Sequence, residues 1–297
     1  MRSDVPKPAR ERALERLLRI EDGAFIGRTG DAEAAADEGP EAAREERQAA
    51  EYVAGITRQR RWLDYLIAHY YRGDFGLMEP ALKETLRIGL YDVLFLRTPP
   101  HAAVHEAVEL AKRAVRPQAA KLVNGLLRTV LRERDRLPEP DTGKPERDLA
   151  VRHSHPTWLV RRWLRRYGEE ATQALLRIDN ARPRYALRVN PLKTTPEDLG
   201  ERLTELGVEW EPSRYLDDFL AVDALQPVLR AGLFEEGLCA VQDEAAGLVV
   251  RLLDPQPGET VLDGAAAPGG KAIYAALRMQ NRGRVLAVDL YPQRVDL

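Results

Sequence analysis

Cysteine is almost missing from this chain. Cys239 is the only one in 297 residues, which excludes an internal disulfide framework and leaves too few thiolates for a structural zinc site. Long apolar runs are missing as well, none reaching the roughly eighteen residues of a membrane span. The start, "MRSDVPKPARERALERLL", lacks the apolar stretch of a secretory signal, so a cytoplasmic protein without a membrane partner is expected. His153 and His155 form H-x-H with no second ligand pair, and no metal site is expected there. Two nucleotide motifs are also wanting. There is no G-x-G-x-x-G, and a phosphate-binding P-loop would need Gly at 265 and Ser or Thr at 272, where this chain has Ala265 and Ala272.

What is present suits a multidomain protein with real cores, since 44% of residues are hydrophobic and the length allows two or three domains. Residues 7–27 set Ala13, Leu14, Leu17, Leu18 and Phe25 at helical spacing. "RTGDAEAAADEGPEAAREERQ" then offers almost no bulky apolar residue and reads as a mobile loop running into the next helix. From Gln48 to about Arg134 helical patterns recur, punctuated by Pro80, Pro99-Pro100 and Pro117, predicting an all-α domain of six or seven helices. "LPEPDTGKPERD", residues 137–148, marks its boundary.

The net charge of −2 hides an uneven distribution. From Lys112 to Arg188 nineteen Lys and Arg stand against nine Asp and Glu, a local excess of ten positive charges that leaves −12 for the rest. That segment is either a polyanion-binding surface or an ordinary solvated face. Within it "HPTWLVRRWLRRYGEEATQALLRI" predicts two short helices joined near Gly168. At about 100° per residue, Leu159, Val160, Trp163, Leu164 and Tyr167 share one arc, while Arg161, Arg162, Arg165 and Arg166 take the other with Trp158 among them. Guanidinium groups beside an indole suit phosphates and unstacked bases, which makes these five residues candidate RNA contacts.

"RYALRVN" alternates as a strand, "TTPEDLGERLTELG" opens with Pro196 and closes with Gly207 as a helix, and "VEWEP" restarts a strand, so a small α/β module is expected. The stretch "ETVLDGAAAPGGKAIYAALRMQNRGRVLAVDLYPQRV" runs strand (Thr260 to Asp263), small-residue turn, helix (about Lys271 to Met279), strand (Arg284 to Leu290). That is the opening β-α-β of a doubly wound sheet, where ligands sit beyond the carboxyl ends of the strands. Ala265, Ala266, Ala267, Pro268, Gly269 and Gly270 let a ligand approach the backbone, and Asp289 stands where a carboxylate accepts ribose hydroxyls; an adenosine-containing cofactor follows.

"AAPGGK", preceded by "VLD" and followed by "VLAVD", resembles the cofactor motif of the RsmB/Nop-type RNA (cytosine-5)-methyltransferases. "PHAAVHEAVELAKR", "AAKLVNGLLRTV", "SHPTWLVRRWLRRYG", "LRVNPLK" and "VQDEAAGLVVRLLDPQPGETVLD" are similar to the bacterial branch with its NusB-like domain, in the same order. The resemblance implies an all-α NusB-like RNA-binding domain over 1–140. Linker helices and a small α/β subdomain would follow over 150–235, and the start of a Rossmann-like methyltransferase domain over 236–297. It implies S-adenosyl-L-methionine as cofactor, lined by Ala265 to Lys271 with Asp289 on the ribose, and a cytidine of small-subunit ribosomal RNA as substrate, handled by a monomer.

The family usually has Cys where this chain has Ala265 and Thr where it has Ala272, departures that touch the cofactor turn. In the family a cysteine thiolate adds to carbon 6 of cytosine and a second cysteine aids product release; both come after the fourth and fifth strands, and this chain stops before its third. No catalytic residue is therefore expected here, Cys239 reads as a small core residue, and the last forty or so residues are expected to be poorly ordered in isolation. The competing expectation is a non-enzymatic RNA-binding or antitermination-type protein.

Overall fold

A computed structural model describes residues 7–24, 39–181 and 184–290. It divides into two compact units, Met1–Ala181 and Arg182–Leu297. Phe25 and the first part of the expected loop lie outside the described residues.

The first unit is helical. Its elements are α1 (Ala9–Glu21), α2 (Pro40–Tyr70), α3 (Pro80–Phe95), α4 (Pro100–Ala114), α5 (Ala119–Arg132), a 3₁₀ turn (Arg134–Arg136), α6 (Pro145–Arg152) and α7 (Thr157–Asn180). Proline takes the first turn of α2, α3, α4 and α6, where its missing N–H has no intrahelical partner to lose. Up to Arg136 this gives five α-helices among the described residues, against six or seven expected, and α2 alone takes up the whole segment from Ala50 to Tyr70 without a break. It also absorbs Pro40 to Gln48, expected as loop. Ala42 and Ala49 are fully buried there, so alanine does the packing that the sequence pattern sought in larger side chains. Glu46 is buried beside them, bonded to Arg16 and reached by Arg12 at 3.4 Å.

The core joins α1 to α5 through Leu14, Leu17, Tyr52, Ile56, Leu63, Leu86, Leu90, Leu110 and Leu127. Residues 137–144 are irregular, as their prolines dictate, yet the compact units part at Ala181, so α6 and α7 lie in the helical unit. The reason is local. The Arg61 amide donates to the Ser154 hydroxyl at 2.8 Å, Arg152 lies 4.4 Å over the Trp62 ring, and Ala150, Val160 and Leu176 close a small cluster of their own.

Two buried polar networks brace this unit. Asp92 accepts from Arg10 Nε at 2.8 Å, Tyr52 Oη at 2.7 Å and Thr98 Oγ1 at 3.0 Å. Arg87 bonds Asp64 through Nε at 2.7 Å and Nη2 at 2.9 Å, Glu21 at 2.8 Å, and Glu84. Glu84 keeps one buried oxygen without a partner, and burial pushes its carboxyl up to about 7, whereas Arg87 and Arg60 hold Glu21 down at about 2. Because folding raises the affinity of Glu84 for a proton, its contribution to stability is complete below about 4.5, the unfolded value, and is lost as pH rises through 7. Glu84→Gln should flatten the melting temperature between pH 4.5 and 7 and melt above the parent at pH 8. Parallel pH curves for the two proteins would contradict this.

The second unit opens with a four-stranded antiparallel sheet of β1 (Tyr185–Val189), β2 (Trp210–Pro212), β3 (Phe219–Val222) and β4 (Cys239–Val241), in the order β2-β3-β1-β4. α8 (Pro196–Glu205) links β1 to β2, with Thr195 capping it by accepting from the Asp198 amide at 3.1 Å. The expected β-α-β is present, but β3 lies between its two strands, and a short helix α9 (Gln226–Arg230) follows β3. Leu187, Val189, Leu199, Leu203, Leu220 and Val228 form one core with Cys239, which is 5% exposed. Burial pushes its thiol up to about 12, so it is a packed core residue with negligible thiolate at neutral pH.

α10 (Glu244–Leu253), β5 (Thr260–Asp263), α11 (Gly270–Arg278) and β6 (Arg284–Ala287) complete the unit. Tyr274 and Ala275 of α11 pack on Phe219 and Leu216, with Val250 of α10 beside them. The last strand ends at Ala287 rather than Leu290, although Val288 still donates to the Asp263 carbonyl at 2.9 Å. Of the segment expected to be poorly ordered, residues up to Leu290 carry these elements and the remainder lies outside the described residues.

Candidate cofactor site

β5 and β6 pair in parallel, Thr260 with Arg284 through Asp263 with Ala287, so both strands deliver their carboxyl ends to one edge. The small-residue turn leaves β5 there. The Ala265 amide donates to Asp263 Oδ1 at 3.2 Å and the Ala266 amide to the Val288 carbonyl at 3.0 Å, folding the turn back over the end of β6. The Ala267–Pro268 peptide is cis, and Gly269 has φ of 101°, a left-handed conformation that side chains disfavour, before α11 begins. Ala266 is buried and Ala267 partly so, which fixes the backbone while keeping its outer surface low.

Asp289, 22 residues further on, reaches the same turn: its Oδ2 accepts from the Ala267 amide at 3.1 Å. The sequence-predicted residues Ala265 to Lys271 and Asp289 are thus brought together. Sequence reasoning missed Asp263, whose Oδ2 is buried without a partner beside the turn, although "VLD" stood in the quoted motif. It also missed Arg188 and Gln242. Arg188 Nη1 donates to the Gly270 carbonyl at 2.7 Å and to Gln242 Oε1. A charged residue in an alternating strand reads as solvent-facing, and nothing in the pattern signals that this one is buried.

The candidate RNA residues lie on α7, whose backbone breaks at Gly168 (φ 77°, ψ 179°) as the expected pair of helices requires. Arg161, Arg162, Arg165 and Arg166 are exposed and Trp158 stands 64% exposed beside them. Val160 is buried, with Trp163 and Leu164 packed against the same cluster. Tyr167 departs from the expected buried arc: it is exposed, with Arg166 5.6 Å over its ring, because the turn before Gly168 carries it off the packed face. A second basic and aromatic surface on the helical unit, lined by Tyr70, Tyr71, Arg72, Lys121 and Arg132, escaped the sequence reading, since its members come from two helices. His153 and His155 are joined through His155 Nδ1 and the His153 carbonyl at 2.6 Å, and no cluster of three metal-ligating side chains occurs among the described residues. Nor is any described helix long and apolar enough to cross a membrane.

Comparison with known proteins matches three successive stretches of the chain, the second of which runs across Ala181. Residues 7–132 match the NusB family, residues 155–229 a Methyltr_RsmF/B-like, ferredoxin-like domain, and residues 250–297 the 16S rRNA methyltransferase RsmB/F family. The probable ribosomal RNA small subunit methyltransferase B of Bacillus subtilis is 37% identical over 250 residues, 83% of this chain and 55% of that protein. The chain carries a NusB domain followed by segments of the RsmB/F methyltransferases. Other RsmB/F relatives include a ribosomal RNA small subunit methyltransferase B of Escherichia coli, 35% identical over 83% of this chain and 56% of its own. The crystal structure of PH0851 superposes on 98% of this chain and 66% of its own with a TM-score of 0.69 and 26% identity. The chain spans about half the length of the curated relatives it matches.

Proposed function

We propose that this chain binds S-adenosylmethionine on the Ala265–Lys271 turn and ribosomal RNA on its basic helices, within an enzyme that methylates carbon 5 of a cytidine in small-subunit ribosomal RNA. The observation that carries the cofactor reading is the meeting of Asp289 with the turn, 3.1 Å from the Ala267 amide. A carboxylate accepts several hydrogen bonds at once, so Asp289 braces the turn and still accepts from ribose hydroxyls. The group fits the residues present: small side chains leave the backbone open, and the buried Asp263 Oδ2 has no partner of its own, which suits an ammonium donor. When bound, the cofactor supplies the methyl group as an electrophile; this chain contributes its position.

Methyl transfer to carbon 5 of cytosine by the family route needs a thiolate. Cys239, the one thiol present, is core-packed and held protonated, so the 297-residue chain is proposed to bind cofactor and RNA without completing the reaction. Cys239→Ala should leave S-adenosylhomocysteine affinity unchanged, as read by calorimetry. The exposed basic and aromatic surfaces of the helical unit favour one second reading, RNA binding without catalysis in the manner of an antitermination protein. Tritiated methyl transfer into ribosomal RNA by the purified chain would overturn the non-catalytic part of either reading. We propose a monomer acting in the cytoplasm.

A further inference from the structure

One glycine of the helical unit has no packing reason to be a glycine. Inside a helix glycine costs stability relative to alanine, so each interior glycine asks for a cause. For four of them the cause is contact. A β-carbon on Gly55 would come within 1.9 Å of Tyr91, on Gly89 within 2.7 Å of Leu127, on Gly200 within 2.3 Å of Trp210 and on Gly247 within 2.6 Å of Leu216. Gly168 sits at the left-handed break of α7. Gly125, in the middle of α5, is exposed, and a β-carbon there would meet nothing within 4 Å. The backbone of α5 is left bare at this point.

That bare stretch lines the groove between α5 and the end of α2, whose volume of about 550 Å³ is in the range of ligand sites. Leu122 and Leu126 give it an apolar base, and Tyr70 and Tyr71 stand on its α2 side. Both rings are held. The Tyr70 hydroxyl donates to Glu133 Oε2 at 2.9 Å, and the Tyr71 ring lies so close over Gly73 that a β-carbon there would come within 2.7 Å of it. Arg72, Lys121 and Arg132 are exposed around the groove. Arg132 lies 3.4 Å from Glu133, whereas neither Arg72 nor Lys121 forms an ion pair among the described residues.

Fixed aromatic rings, bare backbone and unpaired cations together suit one chemistry. Rings take the face of a base, and cations take the phosphates on either side of it. An acidic peptide would use the cations and leave the rings and the missing β-carbon without a role. We propose that this groove holds one unpaired nucleotide of RNA, its base between Tyr71 and the backbone at Gly125 and its phosphates on Arg72, Lys121 and Arg132. The inference rests on the RNA-binding reading above and states where on the helical unit, and in what form, RNA is held. A base inside a duplex has both faces stacked and cannot enter.

The test is fluorescence anisotropy on the 297-residue chain with a labelled single-stranded RNA of about ten nucleotides and with the same strand in a duplex. Gly125→Leu fills the groove. It should weaken the single strand about tenfold, the size of one lost stacking contact, and leave the duplex unchanged. The same variant should melt about one to three degrees above the parent, because leucine suits a helix interior and meets no neighbour there. Lost affinity in a more stable protein separates a ligand site from a structural role. Tyr71→Phe should keep single-strand affinity and Tyr71→Ala should lose it severalfold with an unchanged salt slope, whereas Arg72→Glu with Lys121→Glu should lower that slope by about 1.4. Unchanged single-strand affinity in Gly125→Leu, or equal weakening of single strand and duplex, would overturn the proposal and leave RNA binding to α7. Displacement of the single strand by polyglutamate more readily than by oligouridylate of equal charge would overturn it in favour of an acidic peptide. Failure of the parent to bind either form of RNA would overturn both the proposal and the RNA reading.

Discussion

Reversing Arg161, Arg162, Arg165 and Arg166 to glutamate is expected to weaken binding of ribosomal RNA by two to three orders of magnitude near 0.1 M salt. Each phosphate neutralised on a single strand contributes about 0.7 to the slope of log affinity against log salt, so four contacts account for a slope near 3, or about a thousandfold between 1 M and 0.1 M salt. All four side chains are exposed, and among the described residues only Arg161 pairs with a carboxylate, Glu146 at 3.4 Å, so the reversal should leave the fold intact. The salt slope should fall by about 3 along with the affinity. Trp158→Ala should weaken binding by a smaller, salt-independent factor, since stacking on a base releases no counterions. Filter binding across a salt series separates the two effects. Unchanged affinity and slope in the quadruple variant would remove α7 from the RNA surface and leave the groove lined by Tyr70, Tyr71, Arg72, Lys121 and Arg132 to account for binding.

Asp289→Ala should lower S-adenosylhomocysteine affinity by about a hundredfold, the loss expected when charge-assisted hydrogen bonds to two ribose hydroxyls disappear. The same substitution removes the acceptor for the Ala267 amide, which loosens the turn at the residue before its cis peptide. Asp289→Asn distinguishes these contributions, because an amide oxygen still accepts from Ala267 but accepts from hydroxyls less strongly than a carboxylate. Asparagine is expected to fall between the parent and alanine. Retention of full affinity by Asp289→Ala would place the ribose elsewhere.

The sequence was informative wherever a residue type has one conformational use. Proline at the first turn marked the starts of α3 and α4, and Gly168 marked the break in α7. The turn was legible because its run of small residues follows a strand and precedes a helix, and Asp289 because it comes just after the next strand, which ends at Ala287. Other features depend on contacts that spacing does not encode. The start of α2 is buried through Ala42 and Ala49, which carry little hydrophobic signal. β3 and β4 are four and three residues long and owe their strand conformation to β1, which each of them flanks. Tyr167 belongs by angle to the packed arc of α7 but lies exposed at the turn before Gly168. Arg188 is the clearest case: its neighbours Leu187 and Val189 are fully buried, and only the arrival of α11 on the other side of β1 explains why the arginine is buried too.

Several observations therefore converge on the edge where β5 and β6 end. Asp289 binds the turn, Asp263 offers a buried unpartnered oxygen beside it, and Arg188 lies beneath the start of α11. Thermal denaturation of the 297-residue chain with and without S-adenosylhomocysteine tests the meaning of that convergence most directly. A ligand bound only by the folded state at a hundred times its dissociation constant stabilises by about 2.7 kcal/mol, which raises the melting temperature by several degrees in a protein of this size. The cofactor reading requires such a shift, and requires Asp289→Ala to abolish most of it. A melting temperature unmoved by millimolar S-adenosylhomocysteine would contradict the reading and leave RNA binding as the function the chain performs by itself.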